Sequence, residues 1–310
     1  MNVIRYKYVF LWFSAVLILA GVASVALWGL KLGIDFTGGS LMEIEFSDAR
    51  PPTEEIRVLL EPLNLGSVTL QHTEARGMIL RFRDVDEPTH QRILTAITEY
   101  AEKESRTDKK EMTLPLVTEK RFDAIGPTIG AELRTRALWA IVLTVSAIVL
   151  YIAWAFRRIS KPVASWKYGV VAVVALAHDL AIPAGAFALL GRFRGVEIDI
   201  LFITALLTVL GFSVHDTIVV FDRIRENLRT PRKNERYADT VNRSIRETIV
   251  RSILTSCTVL LVLTIVFFLG GASTRYFTLA LIIGITAGTY SSIFVASPLL
   301  VLWNDLTKQK

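Results

Sequence analysis

Six apolar stretches, each free of Lys, Arg and Glu and each about as long as a bilayer is thick, constrain this sequence of 310 residues more than anything else in it. They occupy residues 8–30, 137–156, 168–191, 200–221, 252–274 and 276–304. A hydrocarbon core is crossed by about 20 residues of helix. Only a helix or a closed barrel satisfies its own backbone there. The runs therefore predict a polytopic α-helical membrane protein with six transmembrane helices, in keeping with a chain that is 52% hydrophobic. The first run has Arg5 and Lys7 in front of it, as a signal peptide would. Its 23 uncharged residues exceed the roughly 7–15 of a signal's apolar region, so it reads as a retained anchor.

The loop charges give the orientation. Arg5 and Lys7 precede the first span, and Arg157, Arg158, Lys161 and Lys167 lie between the second and third. Nine Lys and Arg residues from Arg223 to Arg251 lie between the fourth and fifth, and Lys308 and Lys310 follow the sixth. The opposite side carries only Arg192, Arg194 and Arg275 in its short loops. Positive residues stay inside, so both termini are predicted to be cytoplasmic and residues 31–136 to lie outside. The net charge of +6 then reflects topology rather than nucleic-acid binding. With 15 basic and 19 acidic residues the outer segment is net acidic, and long domains cross largely regardless of charge.

That segment reads as a small α+β domain. Residues 41–46 alternate as a strand, and residues 52–55 open a helix that runs to about Leu60, with Thr53 as its cap. Residues 68–71 and 78–82 read as strands with a turn at Arg76 and Gly77, 89–103 as a helix and 114–122 as a last strand. The order βαββαβ predicts a ferredoxin-like, split-βαβ sheet. The charged stretch 102–111 reads as a solvated loop. The chain thus divides into residues 1–30 with the first span, the domain 31–136, and residues 137–310 with five spans and a basic cytoplasmic loop at 222–251.

Much chemistry is excluded. A single cysteine, Cys257, allows no intrachain disulfide, and His72, His90, His178 and His215 have no metal-ligand spacing. No phosphate-binding loop or nucleophile elbow is present. The expectation is a non-enzyme without cofactor or metal.

Three motifs carry a resemblance. GIDFTGG at 33–39 directly follows the first span, GFSVHDTIVVFDRIREN at 211–227 closes the fourth, and Arg251 opens the fifth, with YSSIFVASPL at 290–299 in the sixth. As a set, and together with the outer domain, they make the chain similar over essentially its whole length to the SecD/SecF family of protein-export membrane proteins, relatives of the RND-type proton-driven exporters. The resemblance implies an RND-like half-bundle in the bacterial cytoplasmic (inner) membrane that pairs with SecD, works with the SecYEG translocon and YajC, and uses the proton-motive force to promote late stages of export of unfolded polypeptide. A proton-coupled exporter of small molecules or lipids, and a non-transporting translocon assembly factor, are the alternatives.

Two carboxylates interrupt the spans. A charged carboxylate at bilayer centre costs about 2.5–3.5 kcal/mol on insertion scales. Asp216 lies six residues before Asp222, roughly 9 Å from the cytoplasmic edge, and Arg251 starts the fifth span at that same edge. The depths suit an ion pair or a water-bridged pair. The resemblance assigns Asp216 and Arg251 to proton coupling, and a static pair fixing two helices is the other reading. Asp179 lies 11 residues into the third span, roughly 17 Å deep. It follows His178 and precedes Pro183, which leaves the Asp179 carbonyl without its helical donor. A relay or a fixed hydrogen bond suits it equally, and it ranks second. His215 stands where family members commonly have Asn, as a hydrogen-bonding substitute or as a proton relay. Gly33, Asp35, Phe36, Gly38 and Gly39 read as a turn, with Asp35 orienting backbone, and Asp222 and Arg223 as structural parts of their motif. Gly284, Gly288, Ser292 and Ala296 give the sixth span a small-residue face for close packing, within the chain or against a partner.

Overall fold

The structure is a computed structural model that describes residues 2–48, 50–73, 76–107, 116–155, 165–230 and 232–308. Arg157, Arg158, Lys161, Lys310 and residues 108–111 of the charged stretch lie outside the described residues. The chain forms two compact units, Met1–Lys31 with Ala137–Lys310, and Leu32–Arg136.

Helix α1 (Lys7–Trp28) is the first span. The second unit follows, with a short turn of helix α2 (Ile34–Thr37), β1 (Gly39–Phe46), α3 (Thr53–Leu60), β2 (Thr69–Thr73), β3 (Gly77–Phe82), α4 (Glu87–Thr107) and β4 (Val117–Ile125). The sheet order is β2-β3-β1-β4, antiparallel throughout. That is the split-βαβ arrangement expected of alternating strands around two amphipathic helices. Met42, Ile44 and Phe46 of β1 and Met78, Leu80 and Phe82 of β3 point to one face, where Ile56, Leu60, Ile93 and Ile97 of the two helices cover them. His90 fastens α4 to β4. Its ring stacks on Phe122 at 3.7 Å and its nitrogens reach Glu87 at 3.2 Å and Glu119 at 3.1 Å. Tyr100 of α4 donates to Glu55 of α3, and that bond, with partial burial, pushes the phenol up to about 12.

The remaining elements are α5 (Pro127–Ala155), α6 (Ser165–Arg194), α7 (Ile200–Arg229), α8 (Tyr237–Leu269), α9 (Ala272–Ser291) and α10 (Ser297–Lys308). A π-helical turn, Ser292–Ala296, joins the last two. With α1 they supply the six spans, the sixth running through α9 and α10. Segment α6 buries 50% of its most apolar stretch, α7 56% and the α9–α10 segment 61%, whereas α1, α5 and α8 bury 11% each. The first three are the centre of this unit, and the others turn their apolar faces outward.

Two boundaries differ from the sequence reading. Residues 222–251 are mostly helix rather than loop, because α7 runs on to Arg229 and α8 begins at Tyr237. Charges end an apolar run without ending a helix when they pair at helical spacing, as Arg223 does with Glu226 at 2.6 Å. The sixth span is interrupted by its π-turn, where Ser297 Oγ donates to the Ser292 carbonyl at 3.3 Å. The small-residue face of this span packs within the chain. A Cβ added to Gly288 would lie 2.9 Å from Ser213 Cβ on α7.

Candidate intramembrane proton site

Asp179 on α6 is completely buried where α6, α7 and α9 meet. Oδ2 accepts from the hydroxyl of Ser213 on α7 and from Ser291 Oγ on α9 at 2.8 Å. Oδ1 lies 2.8 Å from His178 Nδ1. One carboxylate thus ties three helices together, and each hydroxyl offsets part of the cost of removing it from water. The His178 ring, also fully buried, stacks near Tyr290 at 6.0 Å, and Tyr290 donates to the Phe10 carbonyl of α1 at 3.3 Å. A polar thread therefore crosses the unit from α1 to α7. His178 Nε2 has no partner in it.

Asp216 lies three residues beyond Ser213 on the same face of α7, about 4.5 Å of helical rise away. It is 3% exposed, and among the described residues its Oδ2 has no hydrogen-bond partner. Buried Ser252 of α8 faces it, yet Ser252 Oγ is also without a hydrogen bond. Arg251, one position earlier, turns about 100° away around the helix and is exposed. Among the described residues no ion pair joins it to Asp216. The pair anticipated from depth is absent from this conformation because Ser252, not Arg251, occupies the inward position of α8. His215 is exposed on the outer side of α7 and does not join the buried cluster.

Toward the end of α7 lies a second polar network. Arg223 bonds Glu247 of α8 at 2.6 Å, and Asp222 lies 3.6 Å from Arg225. Asn227 donates to Ser244 Oγ at 2.9 Å and to Glu247 at 2.8 Å and accepts from Arg243 at 2.7 Å. Arg243 grips Glu235 with two hydrogen bonds and holds that carboxyl below the usual range. These contacts make the end of α7 and the start of α8 a braced hairpin, to which Arg223 contributes, whereas Asp222 pairs within α7.

The segment 33–39 holds the short helix α2, followed by Gly38 and Gly39. Gly38 and Gly39 have φ of 74° and 125°, where a side chain is strained. A Cβ on Gly38 would lie 2.7 Å from Pro127 Cα, and one on Gly39 2.8 Å from the Phe82 carbonyl oxygen. Gly33 and Phe36 are buried, and Asp35 is half-buried at the first turn of α2.

Residues 105–306 match the family described as protein export membrane protein SecD/SecF, C-terminal, and residues 29–49 match the SecD/SecF GG motif. The chain belongs to the SecD/SecF family. It is 41% identical to the protein translocase subunit SecF of Thermobaculum terrenum over 98% of this chain and 94% of that one. It is 35% identical to the protein translocase subunit SecDF of Thermus thermophilus, over 95% of this chain and 38% of the relative. The crystal structure of SecDF from Thermus, titled a translocon-associated membrane protein, superposes with a TM-score of 0.77 at 33% identity, covering 98% of this chain and 39% of that one.

Within this SecD/SecF frame, sequence reasoning missed Ser213, Ser291 and Tyr290 as partners of the Asp179 cluster, and Asn227, Arg243 and Glu247 as the hairpin brace. The first three stand inside quoted motifs. The signal that could have found them is a hydroxyl in an apolar run, which lipid gives no reason to keep.

Proposed function

We propose that this SecD/SecF-family chain works with a SecD partner beside the SecYEG translocon, with YajC associated, in the bacterial inner membrane, and couples inward proton flow to late stages of protein export. Both termini lie in the cytoplasm and residues 31–136 outside it. The existence of a relative in which SecD and SecF form one polypeptide supports the pairing. The observation that carries the coupling is the pair of buried carboxylates. Asp179 is held by hydroxyls from two other helices, and Asp216 has an oxygen with no partner. Among the described residues neither has a Lys or Arg at ion-pair distance.

A buried carboxylate that gains and loses a cationic neighbour can bind and release a proton as it does so. In the alternate conformation we place Arg251 beside Asp216, where its charge favours release of the proton. Rotation of α8 would bring Arg251 in and Ser252 out. One elementary charge crossing 100 mV supplies about 2.3 kcal/mol, enough to bias a polypeptide outward over repeated cycles. His178 and Tyr290 extend the polar thread from Asp179, while His215 lies outside it.

The test is export by vesicles holding the complete complex, with and without a proton gradient, for wild type and Asp216→Asn. Gradient-dependent export should be lost in the variant while the complex assembles normally. Unchanged export would leave an assembly role. A complex that lacks SecD and moves small molecules would favour the exporter reading.

A further inference from the structure

At one end of the spanning unit, away from both carboxylates, α6 and α10 enclose a groove of about 720 Å³ lined by Trp166, Lys167, Leu299, Trp303, Leu306 and Thr307. Lys167 is only 9% exposed. Its ammonium donates to Thr307 Oγ1 at 2.8 Å and lies 5.6 Å from the centre of the Trp303 ring. Neither contact neutralises it. Among the described residues no carboxylate lies within ion-pair distance. Asp305, the acid on α10, is engaged by Lys7 at 2.6 Å.

The surroundings aggravate the imbalance. Lys167 sits in the first turn of α6, where the helix dipole is positive and no acidic residue offsets it. A buried cation in such a place calls for an anion. The rest of the groove is apolar. Trp166 and Trp303 meet edge to face at 5.1 Å, as aromatic side chains do at the boundary of lipid and water. The leucines Leu299 and Leu306 line the same groove, and Leu306 is exposed. An anion with an apolar body fits this combination, and a soluble anion leaves the leucines and tryptophans without a partner.

We propose that this groove is a binding site for an anionic glycerophospholipid, whose phosphate pairs with Lys167 and whose acyl chains lie along Leu299, Leu306 and Trp303. The site is distinct from the proton-coupling carboxylates, and the inference does not rest on the export reading. Basic pockets between spanning helices on the cytoplasmic side are recognised lipid sites.

The test is native mass spectrometry of the full chain released from detergent, after equilibration with phosphatidylglycerol, phosphatidylcholine or inorganic phosphate. Wild type should retain one phosphatidylglycerol in preference to phosphatidylcholine. Lys167→Gln should weaken that retention roughly fivefold, and Lys167→Arg should preserve it. Leu306→Trp, which fills the groove without touching the charge, should lose the lipid as well, and serves if Lys167→Gln fails to fold. Equal retention of the two lipids, unchanged retention in Leu306→Trp, or displacement of the lipid by inorganic phosphate at equal concentration would each overturn the proposal.

Discussion

Asp179 and Asp216 lie close together on adjoining helices, yet their surroundings give them opposite sensitivities. Asp179 is the acceptor for two hydroxyls and a histidine nitrogen in a fully buried position. Removing it strands the Ser213 hydroxyl and His178 Nδ1, at about 1–3 kcal/mol for each polar group left unsatisfied, and leaves Ser291 its bond to the Gly288 carbonyl at 3.1 Å. Asp216 already has an oxygen without a hydrogen bond, so Asn in its place forfeits little. Asp179→Leu should therefore lower the thermal unfolding temperature and the yield of monodisperse protein in detergent, whereas Asp216→Asn should match wild type in both. Equal thermal stability of the two variants would show that the Asp179 bonds do not hold the helices together. The sequence puts Asp216 first for proton coupling, on its position against Arg251 and on family resemblance, and does not show which acid holds the helices, because the hydroxyl partners of Asp179 stand 34 and 112 residues away along the chain.

At the scale of elements, the close approach of α9 to α7 positions those partners. Gly288 leaves room for Ser213, and the helices are near enough for Ser291 and Ser213 to share one carboxylate oxygen. Gly288→Ala forces overpacking, at a cost of about 1–3 kcal/mol, and moves Ser291 away from Asp179. Adding Ser213→Gly removes the clashing Cβ. Thermal stability of the double variant should recover much of the loss, and gradient-dependent export should not, because the hydroxyl on Asp179 is gone. Recovery of neither would place the cost of Gly288→Ala elsewhere. Small-residue spacing on the sixth span was legible in sequence, but its partner helix was not. The same holds at the α7–α8 hairpin. Charge marks the end of the apolar run near Phe221, whereas the helix continues because Arg223, Asn227, Arg243 and Glu247 pair across it. The βαββαβ order was legible because β1 and β3 alternate and α3 and α4 are amphipathic, so one face is forced inward. The π-turn left no mark in composition.

For the whole molecule, the outer surface of α7 poses the remaining problem. Thr204, Thr208, Gly211 and His215 recur along it at three- and four-residue spacing, all exposed, and Arg251 and Thr255 of α8 are exposed as well. The threonine hydroxyls are turned back onto their own helix, Thr204 to Ile200 and Thr208 to Thr204. Small side chains with internally satisfied hydroxyls suit close packing of a second helix better than contact with lipid tails. His215 and Arg251 are costly to leave in lipid. The SecD partner proposed above, packed on this face, would take both side chains out of lipid. Gly211 offers a clean test, because a Cβ there meets nothing within 4 Å among the described residues. Gly211→Leu should leave the isolated chain as stable as wild type, or slightly more so given the poor helix propensity of glycine. The same substitution should abolish co-purification of SecD, because the added side chain occupies the space a partner helix needs. If SecD is retained at the wild-type ratio, the partner packs against another face, and the outward positions of His215 and Arg251 need a different cause.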